Sequence, residues 1–182
     1  KEIDEGILLP LGPQLETAAS MSFRTMLPTA SKSPFIKLPV AIWMTSEMRS
    51  LQAKSIHMGP RISTIIEDIL RVDKDFDGKL DFFREEVAWH FRHNVRMDDA
   101  EGKFLSVVFR DTQAWERNDN LIAITVASLF TELPHKPQPL ISELIALSGD
   151  LPETWFRNYT KVILKPVLAM YLIYGIALEA HQ

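Results

Sequence analysis

The chain has 182 residues, 46% of them apolar and 24% charged, with a formal net charge of −4 and no cysteine. That size and balance fit one globular domain with a real core, or a piece of something larger, and exclude a disordered chain. The net charge argues against a general nucleic-acid or membrane-surface binder. The lack of cysteine removes disulfide frameworks, thiolate zinc sites and cysteine nucleophiles, and it agrees with a cytosolic setting.

The charged opening, Lys1 to Gly6, does not read as a signal peptide. The chain starts without Met and stops at His181-Gln182, which suggests a fragment of a longer protein. Residues 20–28 and 35–45 read as two strands. The second is rich in β-branched and aromatic residues, with Pro39 marking an edge or a bulge. The loop between them, Leu27 to Pro34, is rich in proline and hydroxyls, so the pair suggests a hairpin. Around it Arg24, Lys32, Lys37 and Arg49 lie among Ser22, Thr25, Thr29, Ser31, Ser33, Thr45 and Ser46. Cations beside short hydroxyl donors suit a phosphate- or carboxylate-rich ligand, because Arg offers a planar fork and Lys a point charge. A surface strand with incidental charges would look similar.

Ser46 resembles the N-cap of a helix running to Ile56 and stopping at Gly59-Pro60. A second helix follows, with Ile62, Ile65, Ile66, Ile69 and Leu70 spaced along one face. Asp73 to Asp81 then reproduces the first nine positions of a calcium-binding EF-hand loop, including Gly78 at the turn. Position 12, where the metal needs a bidentate carboxylate, is Arg84, and Glu85 comes one place late. A polar turn with Gly78 in a left-handed conformation is the plainer reading. Glu85 to Val95 reads as a helix with Glu86, His90 and His93 on one face, a spacing that could ligate a metal but more often marks a solvated surface.

Lys103 to Arg110 reads as a strand whose tip carries Arg110, a candidate ligand group or a plain pair with Asp111. Leu121 to Phe130 is apolar enough to be buried, without a decisive period. A proline-rich linker over Leu133 to Pro139 leads to a short helix ending at Gly149. The last helix starts at Pro152, runs for about thirty residues and is open to a kink at Pro166. Its apolar stretch from Val167 to Leu178 is too short to span a membrane. The reading is therefore α+β. An antiparallel sheet, formed by the N-terminal hairpin and later strands, packs with helices in a single domain over 1–182: strand hairpin at 1–45, helical at 46–100, strand or mixed at 101–132, helical at 133–182.

Two groups of residues together resemble one family. The first comprises Ser22-Phe23-Arg24-Thr25, Lys37-Leu38-Pro39-Val40 and Thr45-Ser46-Glu47-Met48-Arg49, and the second is the terminal run Tyr174-Gly175-Ile176-Ala177-Leu178-Glu179-Ala180-His181-Gln182. In order and spacing they resemble the aerobactin-synthetase (IucA/IucC-like) siderophore synthetases, which work without a peptide-synthetase assembly line. The likeness implies the central, palm-like part of a hand-shaped cytoplasmic enzyme. Such an enzyme activates a carboxylate of citrate or a related acid as an acyl adenylate, then condenses it with an amine or hydroxyl. The partners implied are small molecules, with ATP and Mg²⁺, and without nucleic acid or membrane. A homodimer of the full-length enzyme is compatible with the likeness.

Carried over by resemblance, Ser22, Arg24, Thr25 and Lys37 hold ATP. Thr45, Arg49, Arg110 and His181 hold the carboxylate substrate, Arg49 and His181 act in catalysis, and Glu179 helps to hold Mg²⁺. Upstream ATP-binding elements and a later acidic metal ligand of the family are missing from the chain, so the fragment alone is expected to be inactive. The alternative is a non-enzymatic calcium-binding or helical interaction module built on Asp73–Glu85.

Overall fold

Proline and side-chain alternation divide the N-terminal region into short strands. The computed structural model describes residues 3–6, 9, 11–12, 14–30, 33–91, 102–112 and 122–179. These form two compact units, one from residues 1–60 and 85–112, the other from residues 61–84 and 113–182.

The first unit is built on a sheet of five strands: β1 (Thr17–Ala19), β2 (Thr25–Pro28), β3 (Phe35–Lys37), β6 (Glu85–His90) and β7 (Ser106–Arg110). Their order is β1-β2-β3-β7-β6, antiparallel throughout. The expected hairpin is present, with Thr25 opposite Lys37 and Met26 opposite Ile36. The strand expected over 35–45 stops at Lys37, where the next residues include Pro39, which has no N–H to give a ladder. The chain then returns in a small hairpin of β4 (Trp43–Met44) and β5 (Glu47–Met48). Ser46 therefore lies in a turn and caps no helix. The helix begins later, at Ala53, after the Leu51 N–H is tied to the Lys103 carbonyl at 3.0 Å.

The two helices expected over 46–70 are one, α1 (Ala53–Val72), with Pro60 inside it. The helix expected over Glu85 to Val95, within a region read as helical to residue 100, is strand β6 as far as His90. Pairing with β7 outweighs local propensity there, as tertiary context often does. Residues four apart on a strand are about 13 Å apart, so Glu86 and His90 do not share a metal. His90 instead meets His57 of α1 edge-on, with ring centroids 5.3 Å apart. His93 lies outside the described residues.

Residues in direct register share a face of the sheet. Thr25, Lys37, Val108 and Ala88 make one row, and Phe35, Arg110 and Glu85 the next on the same side. Val108 packs there with Leu51 and Ile56, all three nearly inaccessible to solvent.

In the second unit, Ile66 of α1, Phe76 and Met170 form the core, joined by Leu70, Leu80, Ile176 and Leu178. On the isoleucine face expected for this helix, Ile66 is buried, whereas Ile62 and Ile65 are exposed. The run expected to be buried over 121–130 forms a 3-10 turn at Val126–Phe130 and buries only Leu129 among its described residues. Helix α2 (Leu140–Ser148) ends at Gly149 in the left-handed conformation, as read from sequence. Helix α3 (Pro152–Tyr174) starts at Pro152 as expected but ends sooner, at Gly175 with φ 69°. That glycine turns the chain so that the Ile176 N–H bonds back to the Met170 carbonyl at 3.1 Å. The residues leading to Glu179 are thus anchored on the core rather than continuing a helix.

Candidate anion-binding site

The polar site in the first unit starts from a turn. The Thr25 N–H donates to the Ser22 carbonyl at 2.7 Å, and the buried Thr25 hydroxyl faces the Ser22 hydroxyl at 3.4 Å. This turn delivers Arg24 beside the end of β3, where its carbonyl accepts the Leu38 N–H at 2.8 Å. The Arg24 guanidinium donates from Nη1 to the Ser50 carbonyl at 3.1 Å. On the neighbouring strands Lys37 and Arg110 share one carboxylate oxygen. Lys37 Nζ lies 3.6 Å from Glu85 Oε1, and Arg110 donates to the same atom from Nη2 at 2.9 Å and Nε at 3.3 Å.

Arg24, Lys37, Arg49 and Arg110 are electrostatic neighbours. Burial holds the Arg24 guanidinium below its ordinary range, and repulsion from Arg49 and Arg110 adds to this. The Lys37 ammonium is lowered first by burial, next by Arg110, and by Arg24 as well, while Glu85 pulls it up. The fold therefore concentrates positive charge where that charge is costly. Lys37 and Glu85 keep only 19% of their side-chain surface exposed, and Arg110 keeps 28%.

Thr45 is at the tip of the β4–β5 hairpin, with φ 56°, a conformation that β-branched residues avoid. Its hydroxyl turns back to the Met44 carbonyl at 2.6 Å. Arg49 lies at the base of the same hairpin, its backbone paired with Val40 at 3.0 Å and Ile42 at 2.9 Å.

Of the residues singled out in the sequence, Ser22, Arg24, Thr25, Lys37, Thr45, Arg49 and Arg110 belong to the first unit, and the cations among them are gathered together. Glu179 belongs to the second unit and is exposed. His181 and Lys32 lie outside the described residues. Glu85 is the residue that sequence reasoning missed. A β-bulge between Glu85 and Val87 inserts Glu86 as an extra residue and brings Glu85 opposite Arg110. Nothing in the local sequence announces that bulge.

The calcium-like loop is occupied with packing. Asp73 caps a 3-10 turn, accepting the Asp75 N–H on Oδ1 at 3.0 Å and the Tyr174 hydroxyl on Oδ2 at 2.7 Å. Lys79 Nζ donates to the Asp75 carbonyl at 2.7 Å, Phe76 is buried in the core, and Gly78 is left-handed at φ 67°. Arg84, at the twelfth position, pairs with Glu67 at 2.8 Å. Among the described residues no group of three or more His, Asp and Glu is arranged to hold a metal. No helix among them is long and apolar enough to cross a membrane.

The fold is thus α+β, with an antiparallel sheet in the first unit that carries clustered cations. Comparison with known proteins is more specific. The model of the IucA / IucC family matches residues 1–131, and that described as ferric iron reductase FhuF-like transporter matches residues 153–182. The chain belongs to the IucA/IucC family. It is 54% identical over its whole length to the uncharacterized protein y4xN of Sinorhizobium fredii, and 29% identical over 99% of its length to the D-ornithine–citrate ligase of Staphylococcus aureus. It spans 30% of the length of each. The solved structure of ATP-bound aerobactin synthetase IucA from Klebsiella pneumoniae matches 99% of the chain and 33% of its own, with a TM-score of 0.73 at 19% identity.

Proposed function

We propose that this chain is the sheet-bearing part of an ATP-dependent ligase of siderophore biosynthesis. The ligase activates a carboxylate of citrate or a related acid as an acyl adenylate, and an amine or hydroxyl then displaces AMP. The observation that carries this reading is the convergence of Arg24, Lys37, Arg49 and Arg110 in a member of the IucA/IucC family. Triphosphate and citrate together bring many negative charges into one site, and attack at the α-phosphorus requires those charges offset and the reacting oxygens aligned. The family membership, the citrate ligase among the relatives and the ATP-bound structural neighbour all support the reading.

In this scheme Ser22, Arg24, Thr25 and Lys37 take phosphate oxygens. Thr45, Arg49, Arg110 and His181 are assigned to the carboxylate substrate, and Arg49 and His181 to catalysis. Glu179 would help to hold Mg²⁺. Mg²⁺ is a hard ion that prefers carboxylate and phosphate oxygens, and bound here it would offset phosphate charge. The setting is cytoplasmic, where ATP is available.

The test is citrate-dependent ATP–pyrophosphate exchange by the full-length enzyme, with a panel of di- and tricarboxylic acids. Exchange that requires one of those acids is expected. Hydrolysis of ATP indifferent to every acid would refute the ligase reading. Robust exchange by the 182-residue fragment alone would refute the expectation that it is incomplete.

A further inference from the structure

We infer that Glu85, seated against Gly59, is a positioning residue that sets Lys37 and Arg110 for a polyphosphate ligand. The inference rests on the ligase reading for the identity of that ligand, but its evidence is independent geometry. Both cations converge on one oxygen of Glu85, Oε1, from two neighbouring strands. Two hydrogen bonds from one guanidinium fix its plane, and a carboxylate between two cations fixes their separation. Left without that carboxylate, Lys37 and Arg110 would repel each other and swing apart.

The other oxygen of Glu85 explains an otherwise unfavourable residue. Gly59 lies inside helix α1, where glycine costs about 1 kcal/mol relative to alanine. A Cβ there would fall within the van der Waals envelope of Glu85 Oε2 and 3.2 Å from Cδ. The carboxylate thus lies against the bare backbone of the helix, and a Cβ there would force the end of the Glu85 side chain to shift. The bulge at Glu86 brings Glu85 from the strand side, and Gly59 admits it from the helix side. Two local irregularities therefore serve one carboxylate that itself never needs to touch substrate.

Gly59→Ala gives the sharper test, because it removes no charge and improves helix propensity. We would compare wild type, Gly59→Ala and Glu85→Gln in the full-length enzyme. Binding of inorganic pyrophosphate would be measured by calorimetry across pH, beside thermal stability and citrate-dependent exchange. Both variants should bind pyrophosphate about 10-fold more weakly, the scale of one charge-assisted hydrogen bond lost or misaligned. Gly59→Ala should do so with a smaller fall in melting temperature than Glu85→Gln, because the gain in helix propensity offsets part of the cost of shifting the carboxylate.

In Glu85→Gln the alkaline limit of binding should move to lower pH. Glu85 supports the charged form of Lys37 against burial, Arg110 of β7 and Arg24 of the turn before β2. A Gly59→Ala enzyme that folds and binds pyrophosphate as wild type does, with the same alkaline limit, would overturn the inference. Exchange activity separates the two proposals. Pyrophosphate binding weakened by both variants in an enzyme with no exchange would refute the ligase and keep the cradle. Normal exchange with unaltered binding in both variants would refute the cradle and keep the ligase.

Discussion

Replacing Lys37 by methionine should split stability from ligand binding. In the free protein its ammonium is held below the ordinary 10.5 by burial first, then by Arg110 and Arg24, with Glu85 opposing. A lysine whose pKa is lower folded than unfolded is disfavoured by folding in its charged form. The penalty is complete below the folded pKa and fades as pH rises toward 10.5. Methionine keeps the apolar stem without that charge. It also leaves no carboxylate stranded, since Arg110 still holds Glu85 at 2.9 and 3.3 Å. Melting temperature without ligand should therefore hold or rise, and the gain in stability of the wild type toward high pH should be absent from the variant.

ATP binding should move the other way. A hydrogen bond to a charged group is worth about 1.5–3 kcal/mol, which corresponds to roughly 10- to 150-fold in affinity. Calorimetry of ATP binding and thermal melts of the full-length enzyme read the two effects separately. A variant that melts several degrees lower without ligand yet binds ATP as tightly as wild type would refute the reasoning, because it would make Lys37 a structural ion-pair member.

Three further outcomes follow from the same geometry. Arg49→Ala should raise the KM for the carboxylate substrate about 10- to 100-fold by removing its charged partner, while the KM for ATP changes less; a larger rise in the KM for ATP would place Arg49 on the nucleotide instead. Thr45→Gly should stabilise the fold by about 1 kcal/mol by relieving the left-handed backbone at φ 56°, and weaken carboxylate binding through loss of the hydroxyl, both read by melts and steady-state kinetics. Tyr174→Phe should destabilise the second unit at neutral pH by removing the bond to Asp73. That bond holds Asp73 below its ordinary 3.8 and Tyr174 above its ordinary 10.0. The difference between variant and wild type should therefore be lost as pH falls through the folded value of Asp73 and as pH rises through that of Tyr174, measured by urea titration at a series of pH values.

The legible parts of this chain were those whose signals are local. The β2–β3 hairpin follows from two apolar runs around a turn-rich loop. The end of α2 and the start of α3 follow from Gly149 and Pro152, whereas α3 stops at Gly175, sooner than its apolar run suggests. Glu85 to His90 misled because its alternation is weak and its charges look helical; only pairing with β7 makes it a strand. Pro60 misled in the opposite direction, since a proline that ends most helices sits inside α1. In the site, residue types and spacing pointed to Arg24, Lys37 and Arg49. The carboxylate that organises Lys37 and Arg110 depends on a bulge and a helical glycine 26 positions apart in sequence, and no short window of sequence contains both.

The cost of the cation cluster bears on its purpose. Arg24 and Lys37 are both disfavoured as charged groups by burial and by their neighbours. Neutral side chains at these positions would avoid that penalty, so the cluster is not explained by stability. An anion that binds only the folded protein offsets the penalty, because binding free energy adds to folding free energy through linkage. Phosphate oxygens placed among these groups would also raise the Lys37 pKa, and protons would be taken up on binding wherever Lys37 is partly neutral in the free protein. A group disfavoured in the free fold and favoured in the liganded one is what differential binding requires, and the two irregularities that seat Glu85 keep that group in place.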